Sequence, residues 1–203
     1  CRGAGARRVF VFDHTYDAWR RAYRRSGIAA AVKRAGGILA PGDGRGYFQR
    51  VQVGGNVLEQ VDEHELILES DVFINVPVLK QHDAVGLSGS MKNLMGTVWN
   101  RAEWHRNDLH RCIADFAAYR RPDLTIVDAY DVLIRNGPRG LSQEDVFRMR
   151  TQLLSTNMVV ADAAGARLFG MNPEDVGYIS LAAEQGAGRK DLANLSVRRI
   201  QLS

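Results

Sequence analysis

The sequence predicts an α/β fold in which a mixed, mainly parallel sheet is sandwiched by helices and carries one β-hairpin. Three observations lead there. Strand-like and helix-like stretches alternate along the chain, the order that builds layered α/β sheets. The run "DVFINVPV" at residues 71–78 is apolar almost throughout, as a strand covered on both faces would be. At residues 47–61, "YFQRVQV" and "VLEQV" flank "GGN", two period-two segments around a turn.

Taken in order, "RRVFVFD" at residues 7–13 reads as a strand because its centre is β-branched and aromatic. Residues 16–35 have helical spacing broken at Ser26-Gly27, which predicts two consecutive helices closed by Gly36-Gly37, with "GILAP" as a short strand after them. The hairpin follows, then a short acidic helix over 63–70 and the apolar strand. "DLHRCIADFAAYR" places Leu109, Ile113, Phe116 and Ala117 on one helical face. "PDLTIVDAYDVLI" is a further strand with Asp128 near its carboxyl end, residues 135–145 are a Gly/Pro loop, and "TQLLST" is a strand. Two helices, "NMVVADAAGARLFG" with Asn157 as its cap and "NPEDVGYISLAAEQGAG", precede a last strand, "LSVRRIQL".

With 203 residues, 45% of them hydrophobic, the chain can bury a sizeable core, and a single domain over residues 1–203 is expected. A net charge of +4 is spread among charges of both signs, which does not favour a dedicated polyanion binder, and nucleic acid is not an expected partner. Arg20, Arg21, Arg24 and Arg25, near Trp19 and Tyr23, read as a solvated helix face. Two cysteines, Cys1 and Cys112, form no CxxC pair, so neither a zinc ribbon nor an iron–sulfur ligand set is present. No apolar run reaches the roughly 20 residues that cross a bilayer. The start at Cys1, without an initiator methionine, fits a processed product or an incomplete polypeptide.

Candidate chemistry gathers after the apolar strand. In open α/β sheets ligands sit outside the carboxyl ends of strands. Pro77 is expected to stop the strand, so that Lys80, Gln81, His82 and Asp83 project from a loop. Gly86, Ser88, Gly89 and Ser90 then open a helical segment carrying Lys92 and Asn93, and free N–H groups at a helix start favour an anion. The two lysines offer point charges for a carboxylate or phosphate, and His82 could exchange a proton near neutral pH. The bland alternative is a polar loop and a capped helix.

In "WNRAEWHRNDLHRC", residues 99–112, His105 and His110 are five apart, which is not the spacing of two ligands on one helical face. A divalent metal held by His105 and His110, with Glu103 or Asp108, is nevertheless a candidate. Trp99 and Trp104 read as packing residues, and His14 and His64 as solitary surface or core-edge groups. Asp128 faces the expected ligand crevice; Asn136-Gly137 suits a turn; Asp162 could cap, pair or bind.

"INVPVLKQHDAVGLSGSMKNLMG" resembles the central signature of the domain-of-unknown-function family 362, and the stretches "RPDLTIVDAYDVLIRNGPRG", "NMVVADAAGARLFG" and "NPEDVGYISLAAEQGAG" resemble the rest of its core. The resemblance spans roughly residues 65–190. It implies one α/β domain of bacteria and archaea, sometimes behind a twin-arginine export signal and sometimes fused to a ferredoxin-like module, without a settled reaction. Its pattern falls on Lys80, His82, Lys92, Asn93, Gly96, Asp128, Asn136, Gly137 and Asp162. It also implies a further amino-terminal segment with its own polar strand-end motif, which is not found here, so the domain is expected to lack that segment and with it part of the site. "WHRNDLH" resembles the exported subgroup and favours an extracytoplasmic place over a cytoplasmic one.

Three functions follow. In the first, Lys80, Lys92, Asn93 and Ser90, with Asn136 and Asp162, bind a small anionic molecule, while His82, with Lys80 and Asp128 as partners, performs acid/base chemistry. The second is a metal-dependent hydrolase or redox-associated protein using His82, His105, His110 and a carboxylate, in which an iron–sulfur protein could be the redox partner. The third is a non-catalytic binding or assembly subunit.

Overall fold

The computed structural model describes residues 1–201. Strand β1 (Phe10–Val11) leads to helices α1 (Trp19–Arg25) and α2 (Ile28–Arg34), separated at Gly27 as the sequence predicts, and then to β2 (Ile38–Leu39), parallel to β1. The expected hairpin is β3 (Phe48–Gln52) with β4 (Gln60–His64), antiparallel in the register Phe48↔His64 to Gln52↔Gln60. Short α3 (Glu65–Glu69) begins at His64, whose Nδ1 accepts from the Leu66 N–H at 3.1 Å. His64 is fully buried, its Nε2 3.0 Å from the Pro41 carbonyl.

The apolar run after α3 is not one uninterrupted strand. It is β5 (Ile74–Asn75) and β6 (Val78–His82), which lie in succession along one edge of the ten-residue strand β8 (Leu124–Leu133), both parallel to it. Pro77 interrupts this line without ending it, because its carbonyl still accepts from the Asp128 N–H at 2.8 Å. Lys80 and His82 are therefore strand residues. β6 turns back through β7 (Gly86–Ser88), antiparallel at Lys80↔Ser88, so a second hairpin stands where a loop was expected.

Helices α4 (Ser90–Asn93) and α5 (Arg101–Trp104) follow, with a 3-10 turn, Leu94–Thr97, between them. Helix α6 (Leu109–Tyr119) starts at Asp108, which accepts from the Arg111 N–H at 3.1 Å. On the other side of β8 lies β9 (Val146–Ser155), antiparallel to it. Helix α7 (Met158–Leu168) is capped by Asn157 as expected, and α8 (Gly177–Glu184) is the last helix among the described residues. Residues 195–201 form no strand, and residue 202 of the expected terminal strand lies outside the described residues.

The α/β class holds, with mixed sheets. The core forms where one face of the β6–β8 sheet, through Leu79, Val127 and Ala129, meets Ile113 and Phe116 of α6, Val159 of α7 and Ile179 of α8. The opposite face is open. Val76, Val78, Tyr130 and Leu154 are 59%, 51%, 51% and 62% exposed, so the apolar run 71–78 is not covered on both faces. Its continuous hydrophobicity misleads because only alternate residues reach the core.

Candidate functional site

Lys80 and His82 are two residues apart on β6 and so share one face of the strand. The turn through β7 brings the chain to the start of α4. There Asp162, fully buried on α7, accepts from the Ser90 and Met91 N–H groups, the latter at 2.9 Å. The helix start expected to receive a ligand is thus closed by a side chain of the protein. Loss of surrounding water raises the Asp162 carboxyl to about 7, against the two N–H bonds that lower it.

Ser90 is also buried. Its hydroxyl lies 3.0 Å from Thr125 Oγ1 and accepts from Asn75 Nδ2 at 3.0 Å, while Asn75 Oδ1 accepts from Asn93 Nδ2 at 2.8 Å. This network turns Ser90 and Asp162 into supports. Asn93 remains exposed beside Lys92, with its amide NH₂ held inward.

The amino-terminal strand supplies the other wall. Asp13-His14 lies just beyond β1, and the His14 N–H donates to the Gly96 carbonyl at 3.0 Å. Gly96 leaves room for the aspartate, since a Cβ there would lie 2.2 Å from Asp13 Oδ1. Arg101 on α5 donates through its guanidinium to the carbonyls of His14 and, at 3.2 Å, Thr15. The His14 ring stacks on Trp99 with centroids 5.2 Å apart, and its Nδ1 is 2.8 Å from the Val98 carbonyl. His14 is at the core edge as expected, but it is a clasp between segments more than 80 residues apart, not a solitary group.

Lys80, Lys92 and Arg101 are half-buried around this junction, and among the described residues none makes a direct ion pair. Burial lowers all three from their ordinary values. For Lys80 and Arg101 the Asp13 charge opposes the shift; for Lys92 the neighbouring Lys80 and Arg101 charges add to it and bring the ammonium to about 8. Asp13 is exposed, yet the protein packed around it raises its carboxyl, opposed by Arg101, His14 and Lys80. Like charges desolvated together disfavour one another's charged forms.

His82 is buried and lies 6.5 Å, ring to ring, from exposed His105. Burial, then the Lys92, Lys80 and His105 charges, push its imidazole down to about 4, so it is neutral at pH 7. Its Nδ1 accepts from the Ala84 N–H at 3.2 Å, which leaves the ring proton on Nε2. His105 is lowered in the same way by burial and by Lys92 and Arg101.

The remaining candidates do not join this cluster. Asp128 is five residues into β8 on the open face, where its Oδ1 accepts from the Tyr130 N–H at 3.0 Å; it makes no hydrogen bond to His82. Asn136 is held by Asp145 Oδ1 at 3.0 Å in the loop after β8. His110 is engaged at the start of α8, its Nδ1 accepting from the Tyr178 N–H at 3.1 Å. Among the described residues no group of three His, Cys, Asp or Glu side chains could hold a metal ion. Cys1 and Cys112 are both free thiols.

Sequence reasoning missed Asp13, Arg101 and the clasp of His14. A signal was present for the first: Asp13-His14 follows the apolar run of residues 9–12 just as Lys80-Gln81-His82 follows the apolar run of residues 71–79. Arg101 carries no such mark, because only the folded chain places it under His14.

A family model described as "Domain of unknown function (DUF362)" matches residues 1–167. The match begins before β1 and so takes in the Asp13-His14 strand end, which the resemblance over residues 65–190 left out. No curated protein and no solved structure matches the chain.

Proposed function

The chain belongs to the DUF362 family, whose description names no reaction, and from that premise we propose that it binds a small anion in the cleft between Lys80, Lys92 and Arg101. One observation supports this reading above the others. Three cations are held half-buried in one place with a single carboxylate, Asp13, as their near counter-charge. Desolvating like charges together is unfavourable, and an anion removes most of that penalty. A structural role alone would favour pairing each cation with a carboxylate.

Within this reading, His82 acts as a neutral donor through Nε2–H, not as the proton-exchanging base expected from its type. Lys92 is the group whose charge changes nearest to neutral pH, and it is the better candidate for moving a proton to or from a bound anion. Asp13 and Arg101 fix the junction between β1 and α5 that the ligand would touch.

Calorimetric titration with inorganic phosphate tests the reading. Lys80→Ala and Lys92→Ala are each expected to weaken binding by about 10- to 100-fold, the effect of losing ~1.4–2.8 kcal/mol of charge-assisted contact. Unchanged affinity in both variants removes the site.

A further inference from the structure

We propose that the ligand of this site is an organic dianion whose charged head sits at Lys80, Lys92 and Arg101 and whose flat body lies against Tyr16, Pro138 and Arg139. The proposal rests on the anion site argued above and adds the class of molecule that fills it.

The charge of the head follows from the groups that face it. Lys80, Lys92 and Arg101 contribute three positive charges and Asp13 one negative charge, while His82 is neutral at pH 7. A monoanion would leave one cation uncompensated in a half-buried place; a dianion balances the set. Asp83, tied by Gln81 Nε2 at 3.0 Å on the exposed hairpin turn, adds a negative charge that is felt at His82, and the Arg139 cation on the cleft wall offsets it, so the balance stays at two positive charges.

The body follows from the shape next to Lys80. An open cleft of ≈ 640 Å³ is lined by Tyr16, Asp17, Lys80, Pro138 and Arg139, a size within the roughly 300–1,000 Å³ of small-molecule pockets and far beyond one inorganic ion. Asp17 is already engaged, its carboxylate bound by the Arg21 guanidinium. What the wall offers is the Tyr16 ring, 85% exposed, with the Arg139 guanidinium 4.4 Å from its centroid. A flat group can stack on either plane.

This wall is fixed relative to the head site. The Gly137 N–H donates to Gln81 Oε1 at 2.5 Å, and a Cβ at Gly137 would lie 1.9 Å from the Gln81 carbonyl oxygen, so only glycine lets the loop close on β6 beside Lys80. The family pattern that falls on Gly137 thereby gains a physical reason: Pro138 and Arg139 are set one residue from the lysine strand.

The test compares four ligands on the full chain by calorimetry at about pH 7.5, above the second phosphate pKa of about 6: acetate, inorganic phosphate, phenyl phosphate and phenylsuccinate. Phosphate is expected to bind at least about tenfold tighter than acetate, and one of the two aromatic dianions about tenfold tighter again, the scale of one stacking contact. The better of the two identifies the head as phosphoryl or dicarboxylate. Tyr16→Ala, at an exposed position, is expected to erase the aromatic gain, so that phenyl phosphate and phosphate bind alike, whereas Lys80→Ala weakens every dianion. If acetate equals phosphate, or neither aromatic dianion exceeds phosphate, the proposal is overturned while the anion site stands. If none of the four binds, the anion site itself is wrong.

Discussion

At the scale of residues, the site depends on groups whose charge is set by neighbours. Lys92 is lowered to about 8 by burial and by Lys80 and Arg101. An anion prefers its ammonium form, so affinity is full below that value and falls as pH rises through it. A plot of phosphate affinity against pH should bend near about 8 in the native protein and lose the bend in Lys92→Ala. Gly96 is the second residue-scale dependence. A methyl group at Gly96 would overlap Asp13, so Gly96→Ala is expected to lower stability by about 1–3 kcal/mol in denaturant unfolding, as overpacking does, and to weaken phosphate binding as the clasp opens. Lys80, His82, Lys92 and Asn93 were legible in the sequence because they crowd into 14 consecutive positions beside small residues. Asp13 and Arg101 were not, because their partners are remote along the chain.

At the scale of elements, the sequence placed most helices and strands, expected a last strand that residues 195–201 do not form, and misjudged how two elements end. Pro77 removes one donor but keeps an acceptor, and a strand pairing through its carbonyl continues past it. The start of α4 was expected to face a ligand; Asp162 covers it instead. Its carboxyl is raised in the fold to about 7 from an ordinary 3.8. A raised carboxyl binds its proton more tightly when folded, so its contribution is complete below about 4 and is lost as pH rises through about 7. Unfolding free energy should therefore fall between about pH 5 and about pH 8, and the Asp162→Asn variant should lose that slope. At acidic pH the same variant should be about 1–3 kcal/mol less stable, because one amide oxygen cannot satisfy two buried N–H groups. A flat native profile over that range would refute the role given to Asp162.

At the scale of the whole molecule, charge is distributed unevenly. The first 35 residues hold nine Lys and Arg against two Asp, while the remainder holds 18 basic against 21 acidic residues. The basic portion adjoins the cleft through Tyr16 and Asp17, so under the proposed anion binding its field would draw the ligand towards the site. Raising ionic strength from about 0.01 M to about 1 M shortens the screening length from about 30 Å to about 3 Å. Association with phenyl phosphate should then slow, by stopped-flow measurement, more than dissociation quickens. The sequence by itself determined the α/β class, the paired helices at residues 16–35, the hairpin at 47–61 and the stretch where the lysines gather. These follow from periodicity, turn residues and glycine, which act over a few positions. The tertiary structure alone decided that Asp13-His14 closes over Gly96, that Arg101 reaches His14, that Asp162 plugs α4, and that His110 meets the start of α8. Each of those depends on which surfaces meet when the core forms, a choice made by packing between segments tens of residues apart and written in no local pattern.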